Sequence, residues 1–193
     1  ATLTDVTGVP TSGGLQPRIY YKKGLAGAWF SSQGALASGT GTNGTWNFTI
    51  VAADMGGVAA ADTIYYYVIA QDTLGNLASN PAGVVASDVN TVTTPPTTPN
   101  SYLIVAAFNG SYDVGVGQTY TSLTNAGGIF EAINAGALTG NVVINIVSDL
   151  SGELGTNALN QWPEDGVGGY TILIKPSGGP RLVTGSINGA LIR

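Results

Sequence analysis

Thr63-Ile64-Tyr65-Tyr66-Tyr67-Val68-Ile69-Ala70-Gln71 decides the reading of the first half of the chain. Aromatic and β-branched residues fill it without Gly or Pro, the composition that suits a pleated strand. Its alternation sets Ile64, Tyr66, Val68 and Ala70 against Tyr65, Tyr67 and Ile69. Shorter runs of the same kind lie on both sides. Thr45–Val51 alternates so that Trp46, Phe48 and Ile50 share a face. Ala1–Val6, Pro17–Lys23 and Ala28–Ser32 read as earlier strands, and Val84–Ala86 as the last. Gly-, Asn- and Pro-rich turns separate them and no helical period intervenes, the pattern of an antiparallel sandwich over residues 1–87.

The segment 88–100 changes character. Asp88-Val89-Asn90-Thr91-Val92-Thr93-Thr94-Pro95-Pro96-Thr97-Thr98-Pro99-Asn100 is rich in Thr and Pro, which favours extended backbone and reads as a semi-rigid linker. A second domain is expected over 101–193. Ser101–Phe108 reads as a strand. Thr121–Ala135 has helical spacing, with Leu123, Ala126, Phe130 and Ile133 on one side, Thr121 or Ser122 as N-cap and Gly136 as the stop. The internal Gly127-Gly128 pair costs about 1 kcal/mol per glycine relative to Ala, so packing must hold that helix. Apolar runs return at Val142–Val147, Tyr170–Lys175, Arg181–Val183 and Ala190–Ile192. The last three are separated by Gly- and Ser-rich corners without a hairpin signature, which suggests faces of a parallel coil.

Two resemblances follow from these residues. Pro17-Arg18-Ile19-Tyr20-Tyr21-Lys22-Lys23, Gly44-Thr45-Trp46-Asn47-Phe48-Thr49-Ile50 and the Tyr-rich strand ending in Asp72-Thr73-Leu74-Gly75-Asn76 resemble immunoglobulin-like and fibronectin-III-like modules of large bacterial surface proteins. Val116-Gly117-Gln118-Thr119-Tyr120-Thr121-Ser122-Leu123, followed by Phe130-Glu131-Ala132-Ile133-Asn134, resembles the entrance of a pectin-lyase-like right-handed parallel β-helix. The resemblances imply an all-β chain: an antiparallel Ig/FnIII-like sandwich, then the start of a β-helix with one capping α-helix. In pectin-lyase-like enzymes the catalytic acids and bases lie on middle coils, so no catalytic residue carries over to this sequence. The architecture is similar to that of giant surface proteins that Bacteroidota export by type IX secretion, which implies a secreted or cell-surface location.

Composition narrows the chemistry. Charged residues make up 9% of the 193 residues, against about 25% in ordinary soluble domains. Thr, Ser, Asn and Gly must therefore cover the surface, as in many extracellular β-modules. The net charge of −5 and the scattered bases Arg18, Lys22, Lys23, Lys175, Arg181 and Arg193 make no phosphate-binding stripe, which argues against nucleic acid. No apolar run is long enough for membrane insertion as a helix. The absence of His and Cys excludes disulfides, thiol nucleophiles, Ser-His-Asp triads and zinc sites of the usual ligand types.

Carboxylates are the remaining catalytic currency. Glu164-Asp165 is their densest spot, but neighbours on an extended chain point apart, and the pair reads as a solvated turn. Calcium wants six to eight oxygens. Asp72 and Asn76, joined by Asp5, are the candidate ligands, with an Asx-type turn as the simpler account of the same residues. Trp29, Tyr65 and Tyr67 are candidates for an exposed glycan- or protein-binding face, with Trp46 and Tyr66 in the core. Thr63 and Thr73 stand in Asp-Thr-aliphatic triplets similar to O-glycosylation sites of Bacteroidota surface proteins. The reading is a non-catalytic structural or adhesive module, with no catalytic residue and no cofactor beyond that calcium candidate. Its partners are other domains of the same long chain, other surface proteins or polysaccharide. The rivals are an accessory domain and β-helix entrance of a polysaccharide-degrading lyase or hydrolase, and an assembly subunit that pairs strands.

Overall fold

The computed structural model describes residues 1–187 and 189–193. The described residues are all-β apart from one short α-helix and a 3-10 turn. It forms two compact units, Ala1–Ile104 and Val105–Arg193.

In the first unit, β1 (Thr2–Thr4), β5 (Asn43–Asn47) and β4 (Ala35–Gly39) form a three-stranded antiparallel sheet in the order β1-β5-β4. A five-stranded sheet holds β2 (Arg18–Lys23), β3 (Phe30–Gln33), β6 (Thr63–Gln71), β7 (Leu77–Asn80) and β10 (Asn100–Leu103). Strand β6 is central, with β2 on one side. On its other side β10 pairs its first half and β7 its second. Leu3, Leu36 and Trp46 from the smaller sheet pack with Ala70 of β6, and Ile19, Tyr21 and Ile64 are buried with Phe48, Ile50, Tyr66 and Val68 packed around them. Alternation thus drives one face of β6 into a core between two layers, as expected from the sequence.

The other face of β6 departs from expectation. Between β7 and β10 lie β8 (Val85–Ala86) and β9 (Val92–Thr94), a small antiparallel pair. Val89, in the turn joining them, is fully buried. Its carbonyl accepts the Tyr20 hydroxyl at 2.9 Å and its N–H donates to Gln71 Oε1 at 3.1 Å. Tyr20 and Gln71 belong to the outward row of the sheet, so this segment folds back across that row. The Thr/Pro-rich stretch expected as a linker at 88–100 is therefore part of the first unit, and the boundary falls after Ile104. Thr and Val alternation makes this stretch competent to pair, which outweighs its prolines. Val84–Ala86 does not close the main sheet; β7 and β10 take that place. The strand expected over Ser101–Phe108 is divided between β10 and the second unit, and the strand at 45–51 ends at Asn47.

The second unit is parallel. Strands β11 (Ala107–Val114), β12 (Ala137–Ile146) and β14 (Ile172–Pro176) form one sheet, with Val142 opposite Ile172 and Gly110 opposite Val142. Strands β13 (Leu150–Glu153) and β15 (Val183–Gly185) form a second parallel pair. Each pairing partner lies roughly thirty residues along, so the chain makes one circuit between rungs. Phe108, Val114, Leu123, Ile129, Phe130, Ile133, Leu138, Val142, Ile144, Ile146 and Leu150 fill its core.

The helix is shorter than its sequence pattern. Only Ile129–Asn134 is α-helical (α1), with Gly128 as N-cap. Gly127 adopts φ +75°, outside the helical basin, and Ala126 is exposed. Two adjacent glycines lower the cost of breaking the helix, and Ser122 is drawn to another partner described below. Ala190–Ile192, expected as a strand, forms none.

Candidate functional site

Three constellations gather the side chains that carry chemistry. The first is a carboxylate cluster in the first unit. Asp72 follows the last residue of β6 and opens the hairpin to β7. Its Oδ1 accepts the Leu74 N–H at 2.9 Å and the Asn76 N–H at 2.8 Å. Its Oδ2 accepts Asn76 Nδ2 at 2.7 Å and the Thr7 hydroxyl at 2.9 Å. Asp5 Oδ1 accepts the Thr7 and Gly8 N–H groups at 2.8 and 2.9 Å, and the Thr7 hydroxyl lies 2.6 Å away. The structure thus brings Asp5, Asp72 and Asn76 together, bridged by Thr7.

What surrounds the carboxylates is a set of donors. The Asn76 side chain, helped by backbone N–H groups and Thr7 and opposed by burial, lowers the Asp72 pKa to about 2. A cation seated here would have to displace the N–H and O–H donors that occupy both Asp72 oxygens and Asp5 Oδ1. The geometry is that of a clamped turn. Thr73 is exposed, and its hydroxyl donates to the Thr7 carbonyl at 3.0 Å, stitching the same two loops. Thr63, half-buried at the start of β6, lies opposite Leu103.

The second constellation is aromatic. Tyr20 and Tyr67 are directly opposite on β2 and β6, and their rings stack with centroids 5.1 Å apart. Trp29 meets Tyr67 edge-on at 4.9 Å. Lys22, opposite Tyr65, holds its Nζ 4.8 Å above the Trp29 ring and 5.9 Å from the Tyr65 ring. Tyr67 is 1% exposed, which corrects its expected place on a contact surface. Neighbouring rings and the covered outer row leave it inaccessible, and burial pushes its phenol pKa far up. Trp29 and Tyr65 remain half-buried at the margin with Lys22.

The third constellation lies in the second unit and escaped the sequence reading. Glu153 is 1% exposed. Its carboxylate accepts four donors: the Ser122 hydroxyl at 2.9 Å, the Leu123 N–H at 3.1 Å, and the Thr124 N–H and hydroxyl at 2.8 and 2.6 Å. Burial alone would raise its pKa, but these bonds from Thr124, Ser122 and Leu123 prevail and hold it below the ordinary Glu range. Around it, Asn125 Oδ1 accepts the Leu154 N–H and Asn157 Nδ2 donates to the Thr124 carbonyl. A Ser-Leu-Thr-Asn run that resembles a helix start is instead a cradle for a carboxylate one circuit later. The Gly127-Gly128 break was the available signal.

Glu164 plays a similar part in the open. It accepts the Gly169 and Tyr170 N–H groups at 2.7 and 2.9 Å and the Trp162 indole at 3.3 Å. Asp165 instead donates its backbone N–H to the Leu138 carbonyl. The two neighbouring acids thus serve loop closure separately. Among the described residues no three acidic side chains converge in a metal-binding group.

Comparison with known proteins returns no match: no family model, no curated protein and no solved structure matches the chain.

Proposed function

We propose that this chain is a non-catalytic structural module of a secreted or surface-exposed protein, an immunoglobulin-like sandwich followed by the first coils of a right-handed parallel β-helix. One observation carries the reading. Asp5, Asp72, Glu153 and Glu164 are each spent on N–H and O–H donors of nearby loops. A general acid or base needs a carboxyl free to exchange a proton with substrate.

The finer architecture has support in topology. In the first unit, side chains of two antiparallel sheets pack into two buried clusters, with Phe48 against both. In the second, parallel strands recur with about one rung per thirty residues, and crossovers between parallel strands are right-handed in nearly all proteins. Such units transmit load along hydrogen-bonded rungs, and adhesion or display would reside in surfaces they carry. Trp29, Lys22 and Tyr65 form the patch best suited to a sugar ring or a partner side chain.

Incubation with pectin, alginate, xylan and chondroitin tests the reading. No new reducing ends or unsaturated products are expected. Turnover abolished by Glu164→Gln or Asp165→Asn would overturn it in favour of an enzyme.

A further inference from the structure

A hollow with a volume of about 470 Å³ opens beside strand β11 in the second unit. Ser111, Tyr112 and Asp113 of β11 form one wall, and Gln118, Thr119 and Tyr120 of the following turn form the other. Small-molecule sites span about 300–1,000 Å³, so the hollow is of the right size for one. The turn is fixed before any ligand arrives. Tyr120 bridges Val114 in parallel, and its carbonyl accepts the Gly115 N–H at 3.0 Å. Gln118 donates its backbone N–H to the Gly115 carbonyl at 3.2 Å, and Ser148 Oγ accepts the Val116 N–H at 2.9 Å. A wall held this way loses little conformational freedom on binding.

The lining mixes apolar and polar groups. Tyr112 and Tyr120 meet edge to face with centroids 6.4 Å apart, and both rest against the buried core. Asn145 Nδ2 donates to Asp113 Oδ1 at 3.0 Å, which leaves Asp113 Oδ2 without a partner among the described residues. The side chains of Ser111, Gln118 and Thr119 are exposed and equally unpartnered among the described residues. Asp113 thus differs from Asp72, Glu153 and Glu164, whose oxygens are spent on loops. No base lines the hollow. Lys175 sits two rungs across the sheet, about 10 Å away. Arg181 and Arg193 donate to the Ser177 and Gly155 carbonyls.

We propose that this hollow binds a neutral sugar of a polysaccharide chain. One pyranose ring packs against the tyrosines while its hydroxyls bond to Asp113, Gln118 and Thr119. A sugar hydroxyl both donates and accepts, which matches a lining that holds an acceptor-only carboxylate, an amide and hydroxyls. An ammonium group offers donors alone and would leave the Gln118 amide N–H₂ without an acceptor. A uronate is rejected, because its carboxylate would meet Asp113 with no base to offset the repulsion. A single carboxylate lacks the second that glycoside hydrolysis needs, so the site holds its sugar without cleaving it. This goes beyond the structural-module reading and does not depend on it.

The test is NMR titration of the nitrogen-15-labelled full chain with cellobiose, xylobiose, mannobiose, digalacturonate and n-butylamine. At least one neutral disaccharide should shift the amides of residues 111–120 saturably, with a Kd on the order of 1 mM. Digalacturonate should bind about tenfold more weakly, and Asp113→Asn should narrow that gap by removing the charge while keeping a carbonyl oxygen. Gln118→Ala, at an exposed position, should weaken the neutral sugar about fivefold, the loss of one hydrogen bond. The spectra without ligand establish that each variant is folded. Butylamine binding without sugar binding, or equal affinity for digalacturonate, would overturn the proposal. So would shifts confined to the surroundings of Trp29 and Tyr65, or no saturable shift with any of the neutral sugars. New reducing ends released from a bound disaccharide would contradict the structural-module reading while supporting a sugar site here.

Discussion

Glu153 and Asp72 show how single carboxylates organise this molecule. Glu153 collects backbone and hydroxyl donors from residues 122–124, which would otherwise be buried without partners. Glu153→Gln keeps the shape but turns an amide N–H₂ toward those donors. It is expected to destabilise the second unit by about 2 kcal/mol, read by urea unfolding followed through Trp162, the one tryptophan of residues 105–193. Asp72 supplies a pH signature. Its folded pKa, about 2, lies below the ordinary 3.8. Its contribution is therefore complete above about pH 3.8 and is lost as pH falls toward 2. Glu153 and Glu164 are also lowered, from 4.5, so loss of stability should begin just below that value. Urea midpoints measured from neutral pH downward should fall through this window. Asp72→Asn should flatten the part between 3.8 and 2 that belongs to the first unit. A wild-type midpoint that rises on acidification would contradict the clamp.

At the scale of elements, two segments adopt structures that their own sequences do not favour. A Cβ on Gly128 would meet the carbonyl oxygens of Asn125, Ser122 and Leu123 at 2.8, 2.9 and 3.0 Å. On a continuous helix from 121 to 135, Gly128→Ala would stabilise by about 1 kcal/mol. On the observed turn it should destabilise by about 1–3 kcal/mol, because backbone oxygens cannot yield as side chains do. The sign of the shift in thermal midpoint distinguishes the two. The segment around β8 and β9 is held over the sheet by Val89 and the Tyr20 and Gln71 side chains. Val89→Asp buries an unpaired charge. It should detach that segment, seen as new protease cleavage between residues 81 and 99, while β2 and β6 stay paired.

Over the whole molecule, the buried cluster of residues 105–193 shares no residue with the two buried clusters of residues 1–104, and this separation defines the units. Unfolding should accordingly show Asp72→Asn lowering the stability of the first unit, and Glu153→Gln that of the second. A chelator is expected to leave both midpoints unchanged, since the Asp5–Asp72–Asn76 cluster is closed by its own donors. A chelator-induced drop of several degrees, reversed by calcium, would restore the metal reading.

The sequence by itself determined the all-β character, the period-2 rows of β6, the shared face of Trp46 and Phe48, and the change from antiparallel to parallel pairing across the chain. These are local properties: side-chain alternation, turn residues and circuit length act over a few residues to about thirty. It also marked Asp72 and Asn76 as one turn, because an Asx clamp closes within five residues. The tertiary structure alone decided which face of β6 is covered, where the first unit ends, and what Glu153 holds. Those outcomes depend on partners eighteen to thirty residues away or more. Tyr67 is buried because Trp29 and Tyr20 pack against it, and Glu153 is satisfied because a glycine pair releases residues 122–124 to meet it. Alternation states that a strand has two rows, but only the packing of distant segments decides whether the second row meets water.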